Sequence, residues 1–415
     1  MAKKRANGEG SIYKRKDGTW AAQASIAGSK VYFYGRTQGE VKDKLADALE
    51  QARKGLYMKP TKQTFGEWLD LWLKEYAKPT IRPTTYDSYE YQIRIHIKPG
   101  LGSIPLKELQ PAQIQKYYNS KLTEKIMDRR SEKTIKKHEQ REKKDPSKKR
   151  KEKTLSPATI RRMHIIISEA LEQALKEGII IRNPAKATKP PKVEKKEARY
   201  LSPDELRSFL GTIKDDRWYP AIITALNTGC RLGELVALKW ENVDLEKGVI
   251  FIKEAVSWVR QEIGWALTFH PPKSQKGLRN IPLPTEAIKV LKAHRKKQNQ
   301  EKIKLGEAYT DSDRHFVFTW EDGRLVDPLY LSKHFSKLIK KYGLSLNFHG
   351  LRHSYATALL EAGEHPKVVQ ELLGDSTISV VLDTYSHVLP GLKERAASKL
   401  DSLFGPKKPS SAKEG

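Results

Sequence analysis

The chain has 415 residues and a formal net charge of +28, a length that suits two or three domains, each with its own core. It contains no run of about 18 apolar residues, so no transmembrane helix is expected. No apolar stretch follows the basic start MAKKRANGEGS, so no secretory signal is expected either, and the single cysteine, Cys230, excludes intramolecular disulfides. These features favour a cytoplasmic protein. The charge points to a polyanionic partner, and nucleic acid ranks first because phosphate neutralisation dominates its binding. An anionic membrane surface ranks lower, since no basic amphipathic helix shows an exposed Trp/Leu face.

The first unit is residues 1–60. SIYKR and TWAAQASI alternate in hydrophobicity around Asp17-Gly18, a strong hairpin signal. A second turn at Ala27-Gly28-Ser29 leads to KVYFYG. Thr37 and Glu40 form a capping box ahead of Val41, Leu45, Ala48 and Ala52 at helical spacing. Three strands and one helix are expected. Lys14, Arg15, Lys16, Trp20 and Tyr32 would place cations and aromatics on the small sheet. Such a face is either simply solvated or docked in a DNA groove, and the overall charge favours DNA.

After the linker YMKPTKQ, an all-α domain is expected over 65–188. Phe65, Trp68, Leu69, Trp72 and Leu73 fall on one helical face. Ser156 and Pro157 start another helix, over SPATIRRMHIIISEALEQALKEGII. A basic insertion at about 123–153, nearly half lysine and arginine, interrupts this domain. Such a run is usually a solvated, self-repelling segment, and nothing in it can read a base sequence. A second linker, KATKPPKVEKKEARY, precedes a mixed, mainly-α α+β domain over 199–405. Ser202 caps its first helix, and strands are expected within GVIFIKEAVSW and RNIPLP.

Four stretches of this last domain carry chemistry. NTGCRLGELVALKW breaks at Gly229 and restarts with Arg231 near a helix N-terminus, a good phosphate site. FHPPKSQKGLRNIPL reads as a hairpin tip bearing Lys273 and Lys276. NFHGLRHSYATALLEAG sets His349 and Arg352 one turn apart on one face. LDTYSHV supplies Tyr385. Each alone is weak: an Arg at a helix start is usually a surface ion pair, a hairpin lysine is usually solvated, and a lone His is usually structural.

Taken in order, the boxes TGCRLGEL, HGLRHSYAT and LLGDSTISVVLDTYSHV make the chain resemble the tyrosine recombinases (phage integrase family). The resemblance is to members from phages and conjugative elements that carry an N-terminal arm-binding domain; it covers 65–400 and extends to 10–55. It implies a site-specific recombinase that cleaves and rejoins DNA through a 3′-phosphotyrosyl link, integrating or excising a mobile element without cofactor or metal. Tyr385 would be the nucleophile, and Arg231 and Arg352 the phosphate clamp. Lys273 would protonate the leaving 5′-oxygen, chosen over Lys276 by its spacing to IPL; Lys276 is kept as a DNA contact. His349 would take the tyrosine proton or bond the phosphate, and Glu234 would orient Arg231. The partners implied are double-stranded attachment sites, a homotetramer in the synaptic complex, and an excisionase or host DNA-bending factor. The tail LPGLKERAASKLDSLF, with its apolar stripe, would pack on a neighbouring subunit or in its own chain.

One position departs from the family pattern. Asp375 stands where the family usually has histidine. A carboxylate there should repel a phosphate unless it turns away or holds one of the arginines. His349 and His353 have metal-pair spacing, but Gly350 stands where a zinc hydrolase needs Glu; His353 is read as a core or supporting residue. The alternatives from other classes are a non-catalytic DNA-binding regulator or accessory factor, and a topoisomerase-like nicking and resealing enzyme.

Overall fold

A computed structural model describes residues 10–26, 29–54, 62–125, 154–194, 199–272, 275–310, 315–385, 400 and 404. Most of the basic insertion, Lys273 and most of the C-terminal tail therefore lie outside the described residues. The chain forms two compact units, Met1–Glu194 and Lys195–Gly415.

In the first unit, β1 (Ser11–Lys14), β2 (Trp20–Ile26) and β3 (Ser29–Gly35) make an antiparallel meander, followed by α1 (Gln38–Arg53). The Thr37 hydroxyl accepts from the Glu40 amide, while the Glu40 carboxylate accepts from the Arg36 amide, one residue ahead of the expected box partner. Strand alternation sorts the aromatics. Trp20 packs with Ala22, Ala24 and Ile26 against Val41, Leu45 and Ala48 of α1. The register pairs Ala21 with Tyr13 and Tyr34, and Gln23 with Tyr32, so the tyrosines share the opposite, open face. Of the residues expected to line one sheet surface, Tyr32 lies on this open face and Trp20 on the helix-facing side.

A second core of this unit is helical. A complete Thr64–Glu67 capping box opens α2 (Phe65–Trp72), which continues as a π-helical turn. Then come α3 (Pro83–Gln92), α4 (Pro111–Thr123) and α5 (Pro157–Lys176). Phe65, Trp68, Leu69 and Trp72 pack on Ile160, Met163, Ile167 and Leu171. The indole of Trp68 donates to the Ala170 carbonyl at 2.8 Å, satisfying its buried N–H.

The second unit opens with α6 (Pro203–Thr212), α7 (Tyr219–Thr228) and α8 (Leu232–Val236). The strands are β4 (Val243–Asp244), β5 (Val249–Ile252), β6 (Ala255–Arg260), β7 (Trp265–His270) and β8 (Arg279–Pro282). They form two sheets, β4-β5-β8 and β6-β7. This corrects the expected hairpin around Lys273 and Lys276: the strands flanking them belong to different sheets. Pro271 and Pro272 have no amide protons, so pairing with β6 stops there. Helices α9 (Thr285–Leu305), α10 (Pro328–Lys341), α11 (Phe348–Glu361), α12 (Pro366–Leu373) and α13 (Ile378–Thr384) complete the unit. Its main core gathers α6–α10 and the start of α11 around the β4-β5-β8 sheet. A smaller cluster joins α11, α12 and α13 through Ala356, Leu360, Val369, Leu373, Val381 and Tyr385.

Candidate active site

Two left-handed glycines set the geometry. Helix α7 ends at Gly229, φ +61°, where a Cβ would sit 2.6 Å from the Tyr355 ring. The reversal makes Arg231 the residue that caps α8 and buries Glu234 one turn later. Helix α12 ends at Gly374, φ +65°, and the next residue is Asp375. Between them, Asn347 caps α11 by accepting from the Gly350 amide, and the first turns of α11 carry His349, Arg352 and His353.

The two arginines meet on one oxygen. Asp375 Oδ1 accepts from Arg231 Nη2 at 2.6 Å and from Arg352 Nη2 at 2.7 Å. Each guanidinium also has other anchors. Arg352 Nη1 donates to the carbonyls of Gly229 and Leu373, both at 2.8 Å. Arg231 Nη1 donates to Glu234 Oε1 at 3.0 Å. Arg352 is buried, and this burial together with the Arg231 charge lowers its pKa from the ordinary arginine value. The Arg231 side chain keeps 37% of its surface exposed, so the pair has one open side.

Tyr385 closes α13 with its ring buried in the small α11–α13 cluster and its hydroxyl 2.9 Å from His353 Nδ1. Burial pushes the phenol up to about 12, with the Arg352 charge working against it. His353 is held down at about 4 by burial, by His349 and by Arg352. It is therefore neutral at pH 7, and with its proton on Nε2 it accepts the tyrosine O–H. His349 stacks edge-on against His353, with ring centroids 4.8 Å apart. Protein packed around it and the charges of Arg352 and Arg231 lower its pKa too.

The structure thus brings Arg231, Arg352, Asp375 and Glu234 together, and sets Tyr385 and His349 around His353. Among the contacts described, the Tyr385 hydroxyl lies 2.9 Å from Nδ1 of His353. Lys276 donates from Nζ to the Ser376 carbonyl at 2.8 Å, next to Asp375. Lys273 lies outside the described residues. Lys14 and Arg15 are exposed on β1 and the turn after it. Sequence reasoning missed Arg279, which lies buried at the start of β8 and donates to Glu234 Oε2 at 2.8 Å. The available signal is a cation opening a strand that turns apolar after Asn280, RNIPLP. Cys230 is buried as expected, its thiol pushed up to about 11 by burial. Among the described residues, no three His, Cys, Asp or Glu side chains cluster as a metal site.

Residues 199–391 match the model of the phage integrase family, and residues 64–122 match the SAM-like N-terminal domain of phage integrases. A tyrosine recombinase XerC-like protein of Caldanaerobacter subterraneus subsp. tengcongensis is 31% identical over 90% of this chain and 91% of its own. The chain belongs to the phage integrase family. This integrase is a site-specific tyrosine recombinase, an enzyme of DNA breakage and rejoining. Similar too is the prophage integrase IntR of Escherichia coli, 25% identical over 82% of this chain and 80% of its own. The integrase shares its fold with a Tn1549 transposon integrase solved with transposon right-end DNA: TM-score 0.62, 22% identity, 81% of this chain and all of that one. A lambda integrase solved as a tetramer on a Holliday junction has TM-score 0.51 and 21% identity, over 92% of this chain and 97% of that one. No helix among the described residues is long and apolar enough to cross a membrane.

Proposed function

We propose that this integrase cuts duplex attachment sites by attack of the Tyr385 oxygen on a backbone phosphate, forming a 3′-phosphotyrosyl link, and reseals them to integrate or excise a mobile element. The observation that carries the reading is the convergence of Arg231 and Arg352 on a single oxygen of Asp375. Two guanidinium forks aimed at one anionic oxygen are the arrangement a phosphate's non-bridging oxygens require. The scissile phosphate takes its place at the open side of the pair. His353, neutral and hydrogen-bonded to the phenol, receives the tyrosine proton as the oxygen attacks, and His349 bonds the phosphate. A phenol held near 12 is a weak nucleophile, so attack depends on that acceptor and on the Arg352 charge. Lys273 protonates the leaving 5′-oxygen. Glu234 keeps Arg231 in place.

Three parts divide the work: 1–60 binds arm sites through the tyrosine-bearing sheet, 65–188 grips the core site, and 199–405 cuts. The working form is a homotetramer on paired attachment sites in the host cytoplasm, assisted by an excisionase or a DNA-bending factor.

A nicked suicide duplex tests this. The intact protein should give a slow band on a denaturing gel, whereas Tyr385→Phe should bind the same DNA and give none. An adduct persisting in Tyr385→Phe would move the nucleophile elsewhere.

A further inference from the structure

Arg279 lies outside every group to which the reaction assigns a role, yet it is among the most enclosed cations of the catalytic unit. Its side chain is 5% exposed and faces Glu234, which is 3% exposed. It donates from Nε to the Leu372 carbonyl at 2.7 Å, from Nη1 to the Gly277 carbonyl at 3.1 Å and from Nη2 to Glu234 Oε2 at 2.8 Å. The approach is so close that a Cβ on Gly374 would lie 2.8 Å from Nη1.

The five charged groups form a chain: Arg279, Glu234, Arg231, Asp375, Arg352. Three cations face two carboxylates, which leaves one net positive charge for the phosphate. Without Arg279 the set balances to zero. Glu234 would then lean on Arg231 alone, and Arg231 would be spent between two carboxylates. Burial would by itself raise the Glu234 carboxyl, but the charge and hydrogen bond of Arg279, with help from Arg231, hold it below its ordinary value. Asp375 makes the need acute, because it adds a carboxylate directly to the two clamp arginines.

We propose that Arg279 is a positioning residue for strand cleavage: it neutralises Glu234 from the buried side, so that Arg231 retains its charge for the scissile phosphate although Asp375 sits between the two clamp arginines. This rests on the assignment of Arg231 and Arg352 as the clamp. The three hydrogen bonds also give Arg279 a packing role, so the test must separate charge from scaffolding.

Single-turnover cleavage of a suicide duplex is measured alongside DNA affinity and thermal melting for the wild type, Arg279→Met, Arg279→Lys, and Arg279→Met combined with Asp375→Asn. Arg279→Met should cleave about 100-fold slower, the upper range for loss of an indirect partner. Arg279→Lys, which keeps the charge but not the fork, should stay within about tenfold of the wild type. Removing the Asp375 charge should restore at least about tenfold of the rate lost in Arg279→Met, because it returns the net positive charge. A scaffold would gain from that second change only what the wild type gains from Asp375→Asn alone, so Asp375→Asn is measured as the reference and the gain in the Arg279→Met background should exceed it. The inference is overturned if Asp375→Asn speeds Arg279→Met no more than it speeds the wild type, if Arg279→Lys fails as completely as Arg279→Met, or if Arg279→Met cleaves normally. Should Arg279→Met not fold, Arg279→Lys with and without Asp375→Asn decides: a rate within tenfold supports the charge role, and a larger loss that Asp375→Asn does not relieve refutes it. A wild type that forms no Tyr385-dependent adduct would sink the functional reading instead.

Discussion

At the scale of single residues, Asp375 decides between two opposing effects. A carboxylate about 4 Å from a phosphate repels it by roughly 1–4 kcal/mol, depending on local dielectric. Against this stands its hold on two guanidinium groups. That hold is dispensable, because Arg352 keeps two carbonyl anchors and Arg231 keeps Glu234 when Asp375 is gone. Asp375→Asn and Asp375→His should therefore keep or raise the single-turnover cleavage rate, and a fall of tenfold or more in both would show that the carboxylate is part of the mechanism. His353 gives a prediction in pH. Its pKa is about 4 in the fold, below the unfolded histidine value near 6.5. The unfolded chain thus binds the extra proton between those values, so the stability this residue contributes is present above about pH 6.5 and lost as pH falls towards 4. After discounting for solvent screening of a half-buried ring, the amount is roughly 1–2 kcal/mol. Urea unfolding midpoints at pH 7 and pH 5 should differ less for His353→Gln than for the wild type. Equal differences would mean the ring is not held neutral.

At the scale of elements, the site is made by the ends of helices. Gly374 is a tight end that touches Arg279, so its positive φ and this close approach act together. Gly178, with φ +67° and open space around it, isolates the backbone part. Gly178→Ala should cost about 1 kcal/mol of left-handed strain. Gly374→Ala should cost at least about 1 kcal/mol more and should slow cleavage as well, because Arg279 must shift. Thermal melts and cleavage rates of the two variants would settle this; equal melting shifts with unchanged cleavage would discard it. The same elements mark what the sequence could and could not tell. The Thr37 and Ser202 caps, the strands ahead of α1 and the amphipathic face of α2 follow local rules of spacing and capping, and they were legible. So were Arg231 and Arg352 as partners, through the boxes that carry them. The extent of β7 and its separation from β8 were not, because pairing is chosen by distant strands, with only Pro271-Pro272 as a local hint. The Arg279–Glu234 pair and the His353–Tyr385 bond were hidden for the same reason: each joins residues that only the folded chain brings together.

At the scale of the whole molecule, the first unit holds two cores, one between the tyrosine-bearing sheet and α1 and one among its later helices. Removing residues 1–60 should leave cleavage of a core site intact and abolish or redirect integrative recombination. Loss of core-site cleavage as complete as in Tyr385→Phe would show that the sheet is more than an accessory binder.

The clamp itself joins Arg231 to Asp375 across 144 positions of sequence. During synthesis the first arginine leaves the ribosome long before its partners. At roughly 5–20 residues per second, the wait is on the order of 7–30 seconds. In that interval a nascent chain already displays its basic segments, but it carries neither the Asp375 bridge nor Tyr385, the nucleophile of the proposed mechanism. On the proposed mechanism, the capacity to break a strand therefore arrives with the last helices of the catalytic unit, after the parts proposed to grip DNA have had time to fold.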